Sequence, residues 1–310
     1  MGTTWNVRIT APDLAEEQLR EGIQAVLDRI ETRMSTYRPD SELSRFNRAQ
    51  VTDWFPVSAE TAKVVAEAVR IGTLTDGAFD ITVGPLVDLW GFGPDFHPDR
   101  IPAQGLIDAA LAHTGYQKVK VRMDPPALRK TGPGIQIDLS GIAKGYAVDA
   151  VTAYLRQLGV KNFMVEVGGE VRVAGHKSDG QPWHIAIERP ADEGSAVERI
   201  LSLTNQGMAT SGDYRNFFFL AGVRYSHTID PHTGWPVRNH PASATVVHTS
   251  TMTADALATA MLVLGRERGL ALAQREGLAV FLIERDKQGF KEYASPAFRR
   301  VQQAGLATEE

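Results

Sequence analysis

An aspartate and a threonine lie four residues apart in the apolar run TMTADALATA, residues 251–260. Helical spacing predicts that Asp255 and Thr259 share one face of a helix that ends near Gly265. Because apolar residues cover nearly every other direction, we expect this helix to be buried. Carboxylate and hydroxyl oxygens on one buried face suit a hard cation such as Mg²⁺. The alternative, commoner for a lone aspartate in a first turn, is that Asp255 stabilises the helix dipole and Thr259 bonds back to a carbonyl.

The segment IQIDLSGIAKGYAVDAV, residues 135–151, has the features of an anion-binding turn. Its apolar alternation predicts a strand over IQIDLS, with Asp138 on the face away from the core. Gly141 and Gly145 permit close approach of backbone to a ligand, the following helix offers free N–H groups, and Lys144 adds positive charge. The order of a Walker A loop is missing. A tight strand–helix turn with a solvent-exposed lysine is an equally good interpretation.

Three titratable residues, His227, Asp230 and His232, crowd around the predicted turn DPHTG. A single histidine is more often a structural hydrogen-bonding group than a catalyst. The grouping of three favours acid–base chemistry. A zinc site has weak support, because no HExxH-like spacing occurs.

Two glycine-rich segments offer surfaces for a flat ligand. In FMVEVGGE, residues 163–170, Glu166 lies within an apolar strand that ends at Gly168 and Gly169. Paired glycines at a strand end usually mark a sharp turn, and they can also let an aromatic ring stack on bare backbone. In DGAFDITVGPLVDLWGFG, Phe79 and its aromatic neighbours belong to the core by default, with ligand binding as the alternative.

The elements that must position these residues mix strands and helices without strict βαβ alternation, which is typical of the α+β class. Periodicity predicts helices over residues 11–34, 58–75, 103–115 and 141–159. It predicts a strand over 3–10 and, within the segment 198–212, a strand that ends near Gly207. It also predicts hairpins around Asp124-Pro125-Pro126 and over NFFFLAGVRYSHTID. No linker divides the chain, so we expect one compact unit over residues 1–310, with two lobes around a cleft.

Composition excludes several classes of function. The 310 residues include no cysteine, which excludes disulfides, thiolate metal sites and a cysteine nucleophile. The 33 basic and 37 acidic residues are well mixed, with a net charge of −4, so nothing indicates a nucleic-acid partner. The apolar runs are too short to span a bilayer. We expect any signal peptide to lie upstream of the sequence given.

The order of the motifs resembles the ApbE family of flavin transferases over residues 1 to about 285. The motifs that carry the resemblance are MGTTWNV, MSTYRPDSELSRFN, DGAFDITVGPLVDLWGFG, IDLSGIAKGYAVD, VEVGGEVRVAG, ATSGDYRNFF, YSHTIDPHTGWPV and TADALATAMLVLG. The resemblance implies a T-fold-related α+β unit with a flavin cleft. The sequence departs from the family pattern at His232 and Trp235, where Arg and Tyr are common. These two departures weaken the expectation of nucleotide contacts at that turn.

The resemblance also implies an activity. Members bind FAD and Mg²⁺, break the FAD pyrophosphate, release AMP and attach FMN to a threonine hydroxyl of an acceptor protein. The acceptors include subunits of sodium-pumping and related redox complexes. Most members act outside the cytoplasmic membrane, so we expect a periplasmic protein with a lipid anchor outside the given chain. Some members hydrolyse FAD to FMN and AMP. An FAD pyrophosphatase and a non-catalytic flavin-binding protein are therefore the alternatives.

Individual residues take family roles by motif match. Asp255 and Thr259 match the family's metal positions, with a backbone carbonyl near Gly141 as a further ligand. The resemblance therefore implies that Asp255 is also a catalytic residue. His227 matches the base that accepts the acceptor's hydroxyl proton. The expected cofactor-binding residues are Met34, Tyr37, Ala78, Phe79, Asp80, Asp138, Lys144, Glu166, Gly168, Gly169 and Ile229.

Overall fold

A computed structural model describes residues 2–10, 14–93, 100–190, 197–213, 216–238, 241–286 and 289–306. Its helices are α1 (Glu16–Met34), α2 (Glu42–Arg48), α3 (Ala59–Leu74), α4 (Gly84–Leu89), α5 (Gln104–Leu111), α6 (Ala143–Gln157), α7 (Thr251–Glu276) and α8 (Pro296–Leu306). Single 3₁₀ turns span Ile81–Val83 and Tyr116–Lys118.

The strands are β1 (Trp5–Ile9), β2 (Phe55–Pro56), β3 (Val119–Met123), β4 (Pro126–Lys130), β5 (Phe163–Val167), β6 (Glu170–Ala174), β7 (Trp183–Glu188), β8 (Val197–Leu203), β9 (Gly207–Gly212), β10 (Phe217–Leu220), β11 (Val223–Ser226), β12 (Ser243–His248), β13 (Ala279–Asp286) and β14 (Gly289–Ala294). This mixture of helices and antiparallel strands confirms the α+β class.

A seven-stranded antiparallel sheet organises the fold, in the order β1-β5-β6-β9-β12-β13-β14. Smaller sheets are β2-β4-β3, β7-β8 and β10-β11. Both faces of the large sheet are covered, as alternate residues of β13 show. Val280 and Leu282 join the core formed with α1, α3, α6 and α7, whereas Phe281 and Ile283 join a second core with β7, β8 and α8.

Helix α7 begins with the side chain of Ser250 accepting a hydrogen bond from the Thr253 N–H. Its residues from Thr251 to Gly265 are buried, apart from the partly exposed Thr259, as the apolar pattern predicts. At Gly265 the backbone leaves helical geometry (φ 71°, ψ −179°) and helical turns then continue to Glu276. The predicted helix end at Gly265 is thus an internal break.

Two strand predictions were wrong. Residues 135–140 form no strand, because their backbone groups bond elsewhere: Ile137 exchanges two hydrogen bonds with the Asn47 side chain, and the Asp138 N–H donates to the Ile81 carbonyl. The predicted alternation of burial still holds, since Ile137 is buried and Asp138 faces open space. The strand over 198–212 is two strands, and Gly207 begins β9 rather than ending a strand.

Across the ranges that the structure describes, every helix is too short or too polar to cross a membrane.

Candidate functional site

A cavity of about 880 Å³ opens where α6, α7 and strand β9 meet the loops after β5 and β11. Its wall includes most of the candidate residues: Tyr37, Ala78, Phe79, Asp80, Asp138, Gly141, Lys144, Gly168, Gly169, His227, Ile229, Asp255 and Thr259. Residues from distant parts of the chain thus converge on one space, as the motif order predicts.

The first turns of α6 and α7 cross in close contact at the cavity floor. The Gly145 N–H donates a 2.9 Å hydrogen bond to Asp255 Oδ2. A Cβ added at Gly145 would lie 2.3 Å from the Thr251 carbonyl oxygen, so no larger residue fits without movement. The helix N-terminus of α6 therefore directs an N–H group at the Asp255 carboxylate.

Thr259 lies one helical turn from Asp255 and beside Gly141. A Cβ added at Gly141 would lie 3.2 Å from Thr259 Oγ1, which places the Gly141 backbone next to that hydroxyl. Thr259 Oγ1 also lies 3.1 Å from Ser211 Oγ of β9. The Asp255 carboxylate, the Thr259 hydroxyl and the Gly141 backbone therefore border the same cavity.

Lys144 contributes the positive charge at this end of the cavity. Its ammonium donates to Glu170 Oε1, and the Thr210 N–H donates to Glu170 Oε2 at 3.1 Å. Glu170 is buried, whereas Lys144 keeps about a third of its side chain exposed. This pairing rules out the alternative interpretation of the segment, in which Lys144 is a solvent-exposed lysine on a tight strand–helix turn.

Two buried carboxylates share this ammonium. Burial raises the pKa of Asp255, and the Lys144 charge and the Gly145 N–H oppose that rise. Burial, followed by repulsion from Asp255, raises the pKa of Glu170 to about 7. Burial thus disfavours the charged forms of both acids, and a divalent cation bound at Asp255 would favour its ionised form. The hard oxygen donors of Asp255, Thr259 and Gly141 fit Mg²⁺ in kind.

His227 follows β11 and lines the opposite wall. Its Nδ1 lies 3.1 Å from the Asn216 carbonyl oxygen, which only accepts, so Nδ1 carries the proton of the neutral ring. Nε2 therefore holds the lone pair. Burial lowers the pKa of His227 below its usual value, which keeps the ring neutral near pH 7. A neutral ring with a free Nε2 lone pair is suited to accept a proton.

The remaining wall combines anchored carboxylates with aromatic surface. Asp80 is committed to structure, because it accepts hydrogen bonds from the N–H groups of Thr82 and Tyr116. Tyr37 lines the cavity with 67% of its surface exposed, and Phe79 is a buried part of the same wall. An exposed ring at a cavity mouth offers a stacking surface for a flat ligand.

Gly168 requires glycine for two reasons. Its φ of 59° is in the left-handed region. A Cβ there would also lie 2.9 Å from Thr3 Cγ2 and 3.1 Å from Lys144 Cδ. The paired glycines therefore form the predicted turn, and Gly168 also leaves room for the side chains of Thr3 and Lys144.

Some predicted residues lie elsewhere. The Met34 side chain is in the main core, and Glu166 accepts hydrogen bonds from Asn6 and Gly169; neither is part of the cavity wall. Of the three titratable residues near the turn, His227 alone reaches the cavity. His232 turns away, with Nε2 2.9 Å from the Asp76 carbonyl oxygen and Nδ1 3.2 Å from Asp230.

No group of three or more His, Asp or Glu side chains with metal-site geometry occurs among the described residues. A cation here would therefore depend on one carboxylate together with hydroxyl and carbonyl oxygens. Sequence reasoning also missed Glu170, whose acidic side chain two residues after Gly168 was the available signal.

The fold and site define an α+β protein with a cleft lined by acidic, basic and aromatic groups. The family model described as "ApbE family" matches residues 1–282. A relative from Vibrio cholerae named FAD:protein FMN transferase is 48% identical over 301 residues, covering 96% of this chain and 90% of the relative. One of the same name from Escherichia coli is 42% identical over 302 residues, covering 96% and 86%.

Solved structures agree with these relatives. The flavin transferase ApbE from Vibrio cholerae superimposes with a TM-score of 0.89 at 47% identity, covering 97% of this chain and 96% of that one. The ApbE protein from Thermotoga maritima gives a TM-score of 0.85 at 32% identity, covering 97% and 98%. The chain belongs to the ApbE family, as its motifs predict.

Proposed function

We propose that this protein is an Mg²⁺-dependent FAD:protein FMN transferase, which attaches FMN from FAD to a threonine hydroxyl of an acceptor protein and releases AMP. The observation that carries the proposal is the convergence of Asp255, Thr259, Lys144 and His227 on one cavity. Relatives that match nearly the whole chain at 42–48% identity bear the same enzyme name.

Asp255, Thr259 and the Gly141 carbonyl would hold the Mg²⁺. When bound, this ion neutralises charge on the FAD diphosphate and on the departing AMP. Support comes from the floor of the cavity, where Lys144 forms an ion pair with the buried Glu170 and acts on the buried Asp255 through its charge. The pair Asp255 and Thr259 also argues against a non-catalytic flavin-binding protein, because simple retention of flavin needs no metal clamp.

Lys144 binds the diphosphate beside the N-terminus of α6. Its ammonium is held by Glu170 yet remains partly exposed to the cavity. Free N–H groups in the first turn of a helix add partial positive charge in the same direction. The two together orient the phosphorus of the FMN half towards the wall that carries His227.

His227 accepts the proton of the threonine hydroxyl through Nε2. The hydroxyl oxygen forms a bond to the FMN phosphorus, and the phosphorus–oxygen bond to AMP breaks. Because Nδ1 donates to the Asn216 carbonyl, the ring is fixed in the tautomer that this step needs. General-base assistance of this kind is typically worth ~10²–10⁴-fold in rate.

The flavin ring would stack on Tyr37 and the backbone at Gly168 and Gly169, above Phe79. The acceptor is a protein with a threonine on an accessible segment, such as a subunit of a sodium-pumping or related redox complex. We further propose a periplasmic location with a lipid anchor outside this chain, and the resemblance to the family is the support for that proposal. Protease accessibility of the tagged full-length protein in intact spheroplasts tests that location.

The direct test mixes the protein with FAD, Mg²⁺ and an acceptor domain and measures the acceptor mass. We expect an increase of one FMN less one water, absent when the acceptor threonine is replaced by alanine or when EDTA is added. No increase with a folded, Mg²⁺-loaded enzyme would count against transfer. Fast AMP release without acceptor would favour the pyrophosphatase, and prolonged retention of intact FAD would favour a binding protein.

A further inference from the structure

Asp149, in the second turn of α6, binds the start of α7 through several hydrogen bonds. Its Oδ2 accepts from the Ser250 hydroxyl at 2.9 Å and from the Met252 N–H at 3.1 Å. Its Oδ1 accepts from the Thr251 N–H at 3.0 Å and from Arg172 Nη1 at 3.2 Å. The proposed reaction uses none of these groups, and none of them lines the cavity.

Arg172 extends this network to a third element. It projects from β6, and the same Nη1 that contacts Asp149 also donates to the Thr249 carbonyl just before α7. The carboxylate and the guanidinium thus hold both the N–H groups and a carbonyl at the entry to α7. Charge-assisted hydrogen bonds of this kind are stronger than neutral ones.

The network is the second polar contact, one turn from the first, between α6 and the start of α7. The first is the Gly145 N–H bond to Asp255. Asp149 lies about one turn further along α6 and binds α7 about one turn before Asp255. Two hydrogen-bonded contacts one turn apart on each helix constrain the rotation of α7 against α6 more closely than either contact does alone.

We propose that Asp149, with Arg172, is a positioning residue for the cation site, holding α7 so that Asp255 and Thr259 meet the backbone at Gly141. The inference rests on the Mg²⁺ site of the proposed function and adds the residues that pre-form it. It accounts for an acidic side chain that a helix cap alone would not require, because Ser250 already caps α7 through the Thr253 N–H. Groups that orient metal ligands typically change metal affinity 10–100-fold when removed.

The test measures Mn²⁺ affinity, as a probe for Mg²⁺, by electron paramagnetic resonance, with and without saturating FAD and with no acceptor. Asp149→Asn keeps the size of the side chain and removes its charge. We expect its Mn²⁺ dissociation constant to rise about tenfold or more at a temperature well below unfolding. Arg172→Lys should also raise the Mn²⁺ dissociation constant. If Asp149→Asn does not fold, Arg172→Lys alone tests the positioning role.

Ser58→Ala is the matched control. Ser58 caps α3 by accepting from the Thr61 N–H, and α3 carries no residue of the cavity wall. This variant should lower the melting temperature while leaving the Mn²⁺ dissociation constant unchanged. Wild-type affinity in folded Asp149→Asn and Arg172→Lys would overturn the positioning role alone. A wild-type protein that binds no Mn²⁺ under either condition would overturn the metal assignment itself and, with it, this inference.

Discussion

Gly145→Ala tests the contact on which the geometry of the site depends. The added Cβ would lie 2.3 Å from the Thr251 carbonyl oxygen and 2.8 Å from Asp255 Cβ. Ordinary contact begins near 3.4 Å, so α6 and α7 must separate by about 1 Å. Overpacking of this kind costs about 1–3 kcal/mol, and the upper end applies because the nearest atoms are backbone.

Helix propensity offsets part of this cost, since alanine is favoured over glycine by about 1 kcal/mol within a helix. The expected net loss of unfolding free energy is therefore about 2 kcal/mol. The effect on activity is larger, because the separation displaces Lys144 and Gly141 relative to Asp255. A misplacement of about 1 Å can lower a rate about 10²-fold.

Denaturant unfolding measures the first quantity, and the acceptor mass shift under single-turnover conditions measures the second. Gly105→Ala in α5 is the control, because its added Cβ would meet no atom within 4 Å and its φ is not positive. That variant should keep full activity and gain up to about 1 kcal/mol. Wild-type stability and transfer rate in Gly145→Ala would refute the claim that these helices leave no space there.

Three further predictions concern single side chains. Asp255→Asn keeps an oxygen for the Gly145 N–H but loses the charge. We expect a folded protein whose FMN transfer rate no longer responds to Mg²⁺. A normal Mg²⁺ titration would show that Asp255 only stabilises its helix. His227→Ala should lower the transfer rate about 10²–10⁴-fold with little change in FAD affinity; the reverse pattern would contradict its role as base. Because burial lowers the pKa of His227, the wild-type rate should fall with acid only below the usual value of 6.5, and the variant should lose that limb. For Glu170, a pKa raised from 4.5 to about 7 means that folding favours the protonated acid, so apo-protein stability should decline as pH rises from about 4.5 through 7. Denaturant unfolding of Glu170→Gln should show a shallower decline, because Asp255, whose pKa burial also raises, keeps its own contribution. An identical slope in both proteins would show that Glu170 is not the source of the decline.

The sequence predicted those parts of the fold that depend on local periodicity. The amphipathic spacing of α1 and α3 and the buried surface of α7 follow from side-chain pattern alone, and so do the two hairpins. The segment IQIDLS was misjudged because alternation records burial and does not show where backbone groups bond. There the Asn47 side chain, 90 residues away in sequence, takes the place of a neighbouring strand.

The site was predicted to the extent that its residues fall in characteristic motifs. Asp255, Lys144 and His227 converge as the motif order indicated, and that order came from family resemblance rather than from spacing. Glu170 and Asp149 were missed because their roles depend on contacts across elements, with Lys144 and with the start of α7. Met34 ends a helix whose inward face is core, and this explains why its side chain lies outside the cavity wall.

The break at Gly265 divides α7 into segments with different tolerance to change. Before it nearly every side chain is enclosed, whereas after it Glu267 and Arg268 lie on the surface. A reporter group attached at Arg268 would therefore lie beyond the break and outside the packed interior, on the helical segment that follows Asp255 and Thr259 in the chain. Position 268 thus offers an attachment point for a fluorophore or an immobilising tether on an otherwise working enzyme.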